Sequence, residues 1–271
     1  MSNQSNQQIE RLHAGWRAAV QQGGKSPRQI GAERQADLLR WVYRWGWSSA
    51  SVLTQVAGTE RGGIAHRLVK QGLLTLTGSE SGGCARGVPR GFLTLTPLGV
   101  EQVERMLSCE DELYPYTVNP YKVNQNLLRH DVIAQEKTAR ALAAGDIIDF
   151  ETERELRRHC APDEKVPDVL WHYANGTKVA VEVELSAKWK RSFDQFIGGC
   201  INGIRSGKFH HVLILSDSPA LLERYRKAFA PGAPLVLWVR NAAADKWVQR
   251  ATTTVPEGMH RRVTCKLVSE S

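Results

Sequence analysis

Across residues 166–185 apolar and polar side chains alternate with a period of two, interrupted by Asn175-Gly176. A period of two sends successive side chains to opposite faces of a strand, and Asn-Gly reverses a chain readily, so this stretch reads as two antiparallel strands. Val169, Trp171 and Tyr173 share one face of the first strand, and Val179, Val181, Val183 and Leu185 share one face of the second. Those faces make core. The opposite faces carry Asp168 on one strand and Glu182 and Glu184 on the next, acids that repel unless a cation lies between them. Register decides whether they meet. A strict two-residue turn pairs Asp168 with Val183 and sets the acid against the wrong face. A loop of odd length or a bulge, with glycine in the left-handed conformation, restores parity and brings Asp168 opposite Glu182 or Glu184. Directly opposed residues have Cβ atoms about 5 Å apart, close enough for two carboxylates to share one hard divalent cation, Mg²⁺ or Mn²⁺.

Around this hairpin the pattern is that of an α/β domain over residues 125–240 with a mixed central sheet. A helix over 126–144 stops at Gly145, a strand follows at 147–153, and beyond the hairpin come a helix (187–204), a buried-type strand (212–215), a helix (219–229) and a strand (235–239). His210-His211 precedes a buried strand and reads as an edge feature. Residues 241–271 read as a basic tail.

The first half follows the helical period. Ala36, Leu38, Leu39, Val42, Tyr43 and Trp45 recur at helical spacing from Ala32 to a stop at Gly46. Ser48 or Ser49 caps a second helix through Val52, Leu53 and Val56, and Thr59 caps a third over 60–71. On that third helix Ile64, Leu68 and Val69 point inward and Arg61, His66, Arg67 and Lys70 outward. Strands at 73–77 and 92–95 flank a glycine-rich excursion, and Thr96-Pro97 opens a further helix. Trp41, Tyr43, Trp45 and Trp47 crowd one helix end and read as core. Residues 1–32 read as a polar arm with a breaker at Gly23-Gly24-Lys25-Ser26-Pro27 and a short helix around Trp16. Residues 110–124, with Glu110-Asp111-Glu112, Pro115 and Pro120, read as a linker.

Composition narrows the class. A chain of 271 residues has room for two domains, and 42% hydrophobic with 24% charged residues is a globular mix. No apolar run approaches the roughly 18 residues that span a bilayer, and MSNQSNQQIE lacks an export signal, so no membrane partner and a cytoplasmic location are expected. Five scattered cysteines suit a reducing compartment, and the formal charge of +8 suits a polyanionic partner. There is no zinc spacing, phosphate-binding glycine loop, dinucleotide fingerprint or G-x-S-x-G. Tyr114, Tyr116 and Tyr121 lie on the connector with nothing to activate them as nucleophiles.

Three helices followed by a basic-tipped hairpin resemble a winged helix-turn-helix over residues 33–109, carried by the order of elements. The resemblance implies that the third helix enters the major groove and that Arg86 and Arg90 on the wing reach backbone or minor groove. A solvated helix face or a protein-docking surface is the other reading of the same charges. Pro167-Asp168, followed across a hairpin by an acidic pair, resembles the PD-(D/E)xK nucleases. The stretch Glu182-Val183-Glu184-Leu185-Ser186-Ala187-Lys188 resembles more narrowly the replication-relaxation and MOB-C relaxase group of mobilisation proteins, whose opening nuclease-domain helix Leu128-Arg129-His130-Asp131 also resembles. The wider pattern has lysine two residues after the glutamate; here Glu184 stands there and Lys188 follows four residues later. The resemblance implies a DNA relaxase or nickase that cuts one strand at a plasmid transfer origin. Asp168 and Glu182 would be metal ligands, Glu184 ligand or base, Lys188 the transition-state cation, and His130 and Glu136 outer contacts. Double-stranded DNA and mobilisation or coupling proteins are the implied partners, with self-association left open. The alternative is an inactive DNA-binding accessory or replication-control protein that keeps the nuclease fold as scaffold.

Overall fold

The structure, a computed structural model, describes residues 24–59, 62–107, 113, 115–161, 164–241 and 246–270. The region around Trp16, Arg61, Cys109, Glu110-Asp111-Glu112 and Tyr114 lie outside the described residues.

Helix α1 (Pro27–Trp45) begins five residues before the expected Ala32. Ser26 and Gln29 form a reciprocal capping box, and Pro27 occupies the first turn, where a missing N–H costs nothing. The expected breaker is therefore a helix start. Gly46, left-handed at φ 86°, closes α1 with its N–H on the Val42 carbonyl. Ser49 caps α2 (Ala50–Val56). Helix α3 (Ile64–Lys70) is shorter than the expected 60–71: Gly63 at φ 102°, and not Thr59, stands at its N-cap. Strands β1 (Leu74–Gly78) and β2 (Gly91–Leu95) pair antiparallel, and Thr96 caps α4 (Pro97–Glu104).

The second half is built on a mixed five-stranded sheet. After α5 (Leu128–Ala144) come β3 (Asp149–Thr152), the single turn α6 (Glu153–Leu156), β4 (Val169–His172), β5 (Lys178–Val183), α7 (Lys190–Arg205), β6 (His211–Ser216) and α8 (Pro219–Ala228). A separate hairpin, β7 (Pro234–Asn241) with β8 (Lys246–Thr254), precedes β9 (Val263–Leu267). The order is β3-β4-β5-β6-β9, antiparallel up to β5 and parallel beyond it. The stretch 241–271, expected as a tail, instead supplies β8 and an edge strand of the central sheet. The reason is legible in Val263-Thr264-Cys265-Lys266-Leu267, whose alternate residues pack into the core.

Both faces of the sheet are covered. Val169, Trp171, Val181 and Val183 pack toward α5 and the N-terminal helices, while Leu170, Ala180, Val212 and Ile214 pack under α7 and α8. The first core is continuous with the interior of the N-terminal half, taking in Leu38, Leu39, Trp41, Leu53 and Leu68. Trp41, Tyr43 and Trp47 are buried at this junction, and Trp41 lies 5.2 Å from the Phe150 ring. Gln135 on α5 clasps the two halves: its Oε1 accepts from Trp41 Nε1 (3.1 Å) and Ser48 Oγ (2.7 Å), and its Nε2 donates to the Trp47 carbonyl (3.1 Å). Tyr116, from the expected linker, stacks on Tyr43 at 5.6 Å and donates its hydroxyl to the Gly46 carbonyl. Arg44 reaches Glu155 and Asp149. No helix among the described residues is long and apolar enough to cross a membrane.

Candidate functional site

The β4–β5 connection sets the site. Tyr173 N–H donates to the Thr177 carbonyl across a three-residue loop in which Gly176 is left-handed at φ 79°. This odd-length loop gives the register Val169↔Val181, which, carried one residue further, sets Asp168 opposite Glu182. The face that carries the acids is not solvated. It lies under α7 and α8, and Glu182 and Glu184 are 2% and 3% exposed.

Burial at this level demands partners for each carboxylate. Glu182 is held by Lys165, whose Nζ stands 2.6 Å from Oε1, 2.7 Å from Oε2 and 2.8 Å from the Val166 carbonyl. Glu184 accepts from Lys188 through Oε1 and from the Tyr225 hydroxyl through Oε2 at 2.9 Å. Asp168 takes both of its contacts on Oδ2, from His130 Nε2 (3.0 Å) and Val183 N–H (2.7 Å). The other ring nitrogen of His130 meets Asp131 at 2.8 Å, and Asp131 is fixed by Trp47 Nε1. Phe196 on α7 lies beneath both ammonium groups, 5.3 Å from Lys165 Nζ and 4.8 Å from Lys188 Nζ.

These contacts sort the charges. Burial works against the imidazolium of His130, but the carboxylates of Asp131 and Asp168 outweigh it and lift the ring to about 10, so at neutral pH both nitrogens donate. Burial likewise opposes ionisation of Asp168, yet His130, Lys165 and the Val183 N–H together hold it below the usual carboxylate range. Glu182 goes the other way: burial first, then the charges of Asp168 and Glu184, outweigh Lys165 and push it up to about 8. Lys165 is raised, because Glu182 and Asp168 overcome its own desolvation. The two shifts belong to one buried Lys165–Glu182 pair, whose ammonium lies within 2.7 Å of both carboxylate oxygens. Cys200, buried beside Glu182, is raised by burial and by that carboxylate and is no nucleophile at neutral pH.

Lys165 Nζ lies among three oxygens, the two of Glu182 and the Val166 carbonyl, the oxygen-only donor type that a hard divalent ion would also use. As arranged, each carboxylate serves its own partner, and no cluster of three or more His, Cys, Asp or Glu is positioned to hold an ion among the described residues. Binding would require Lys165 to withdraw.

Of the outer residues named from sequence, His130 touches Asp168 directly. Glu136 does not: it lies almost two turns along α5, burial raises its carboxyl against Lys137 and Arg140, and its backbone carbonyl accepts from Gln55. Lys165 was missed. It lies three residues before Asp168 in a stretch with no strand or helix period, and what places it is Gly199 of α7, where an added Cβ would stand 2.5 Å from Lys165 Cβ.

His66, Arg67 and Lys70 are exposed along α3, and Arg86 and Arg90 are exposed in the β1–β2 loop. That loop lies against the start of α5: Glu80 N–H donates to Gln125 Oε1, and Gly87 leaves room for Arg129, which pairs with Asp217. Between the halves a cleft of about 260 Å³ is lined by Trp47, Lys122, His130, Asp131, Arg154 and Asp168, among others. No protein-family model, curated protein or solved structure matches the chain.

Proposed function

We propose that this chain recognises duplex DNA through a winged helix-turn-helix formed by α1–α4 with the β1–β2 hairpin. We propose further that a restriction-endonuclease-like PD-(D/E)xK domain cuts one strand, as the relaxase or nickase of plasmid mobilisation does at a transfer origin. The observation that carries this reading is the register that sets Asp168 opposite Glu182, with Lys165 and Lys188 on the acids. Asp168, Glu182 and Glu184 would hold Mg²⁺ or Mn²⁺. Such an ion, when bound, would supply the positive charge for activating an attacking water or hydroxyl and for neutralising the leaving oxygen. Lys165 would withdraw from Glu182 on binding and, with Lys188, hold the phosphate oxygens, while His130 keeps Asp168 ionised and aimed. Arg67, Lys70, Arg86 and Arg90 supply contacts to the duplex backbone or bases.

One observation favours the second reading, a DNA-binding accessory or replication-control protein with the nuclease fold as scaffold: every oxygen of Glu182 and Glu184 already has a partner within the chain. Nicking of a supercoiled plasmid carrying the cognate mobilisation region separates the two, with Mn²⁺ or Mg²⁺ against chelator. Metal-dependent open circles that disappear in Asp168→Asn and Glu182→Gln support cleavage. Intact plasmid under tight, salt-sensitive binding moves the assignment to the accessory protein.

A further inference from the structure

A second groove, of about 990 Å³, runs between α7 and the β7–β8 hairpin. Lys165 and Lys188 stand in its wall, the same two ammonium groups that reach Glu182 and Glu184. The groove therefore leads to the carboxylates. Its α7 side presents Gln195 and Asn202, and its hairpin side presents the indoles of Trp238 and Trp247 with Arg240. The acids within it are already neutralised or engaged: Glu164 pairs with Lys208, and Asp194 Oδ2 accepts from Trp238 Nε1 at 2.9 Å. Lys165, Lys188 and Lys208 in the wall are each paired with a carboxylate. The further cations of the two flanking elements are Lys190, Arg191 and Arg205 on α7 and Arg240, Lys246 and Arg250 on the hairpin, against Asp194 and Asp245 in the same stretches of sequence.

We propose that this groove holds a single strand of DNA and feeds it to the carboxylate group, a placement that rests on the cleavage reading for what happens to the strand. Phosphodiesters match the α7 and hairpin cations that flank the paired lysines of the wall, and bases match the indoles and amides. A duplex hides the faces of its bases, whereas a single strand can stack them on Trp238 and Trp247 while its backbone follows the cations. The Arg191 guanidinium lies over the Trp247 ring, 5.4 Å from its centroid, and places a cation beside that indole. Gly198 keeps the floor open: an added Cβ there meets nothing within 4 Å, unlike Gly199 and Gly203, where Lys165 and Phe209 fill the space.

The test uses the full chain, chelator to prevent cutting, and a fluorescein-labelled 20-nucleotide oligo-dT read by anisotropy, beside a 20-base-pair duplex. Trp247→Ala is expected to weaken oligo-dT binding about tenfold or more. Gly198→Leu starts from a position whose Cβ meets no neighbour, projects a side chain into the groove and is expected to do the same. Trp247→Phe keeps a stacking ring and should stay within about threefold of wild type. Trp189→Ala removes an indole that is 71% exposed and does not line the groove, and should leave binding unchanged. Duplex affinity should not follow the groove variants. Oligo-dT binding that is absent, or equal in wild type, Trp247→Ala and Gly198→Leu, overturns the groove, whatever the plasmid assay shows. Groove-dependent binding without nicking overturns cleavage and leaves the groove standing.

Discussion

Replacing Gln135 by methionine tests whether the two halves are one structure. The side chain is fully buried on α5, and methionine keeps its length, so no cavity is created. What is lost is polar: Trp41 Nε1, the Ser48 hydroxyl and the Trp47 carbonyl each lose their contact with Gln135. A buried group left unpaired costs about 1–3 kcal/mol, so three cost about 3–9 kcal/mol. The Ser48 hydroxyl rotates freely and the methionine adds apolar burial, which places the expected loss at about 3–5 kcal/mol, a large part of the roughly 5–15 kcal/mol that holds a domain together. Urea unfolding followed by tryptophan fluorescence and by circular dichroism reads it, because Trp41 and Trp47 sit in the clasp. Gln55→Met is the control. It removes one partly buried bond to the Glu136 carbonyl and should cost under about 1 kcal/mol. A Gln135→Met midpoint within 1 kcal/mol of wild type, or equal to that of Gln55→Met, would refute the assignment of Gln135 as the joint.

Adjacent glycines on α7 should respond with opposite signs. Gly198→Ala meets open space and should raise stability by up to about 1 kcal/mol, whereas Gly199→Ala runs into Lys165 and should lower it by about 1–3 kcal/mol, both read by thermal melts. Tyr116 is raised by burial to about 12, against the Leu95 N–H and Arg154, with the Tyr43 ring stacked on it. The folded state then holds a proton that the unfolded phenol releases near 10, so this stability is present below pH 10 and lost as pH rises toward 12. Tyr116→Phe should flatten that alkaline slope in urea titrations, and an unchanged slope would remove Tyr116 from the account. For duplex binding, Arg67→Ala and Arg86→Ala should each lower affinity and reduce the slope of log affinity against log salt by about 1 if each contacts a phosphate. Slopes that stay at the wild-type value would remove these side chains from the interface.

Much of the site is written in local pattern. The alternation through Val169, Trp171, Val181 and Val183 assigns the core face, and the parity of that face forces an odd loop at Asn175-Gly176, which the structure has. Caps are equally local: the Ser49 and Thr96 side chains start helices, and the left-handed backbone of Gly46 stops one. The same logic was available and unused at Ser26-Pro27-Arg28-Gln29, a capping box read as a breaker, and at 263–267, an alternating strand read as tail.

Other features have no local signature, because periodicity says which side chains share a face and nothing about what covers it. That Glu182 and Glu184 lie under α7 and α8 depends on residues from Phe196 to Tyr225, 14 to 43 positions beyond Glu182, and their burial is what obliges each carboxylate to take a partner. Lys165 arrives through the close approach allowed by Gly199, and His130 through the docking of α5 against the end of β4. The merger of the N-terminal helices with the sheet core likewise emerges only when Gln135 meets Trp41, Trp47 and Ser48 across the junction. Sequence alone determined the strands of the β4–β5 hairpin, the parity of their register and the face that bears the acids, since those follow from backbone geometry over a few residues. Tertiary structure alone decided the burial, the counter-ions and the grooves, since desolvation and charge pairing exist only between segments that folding brings together.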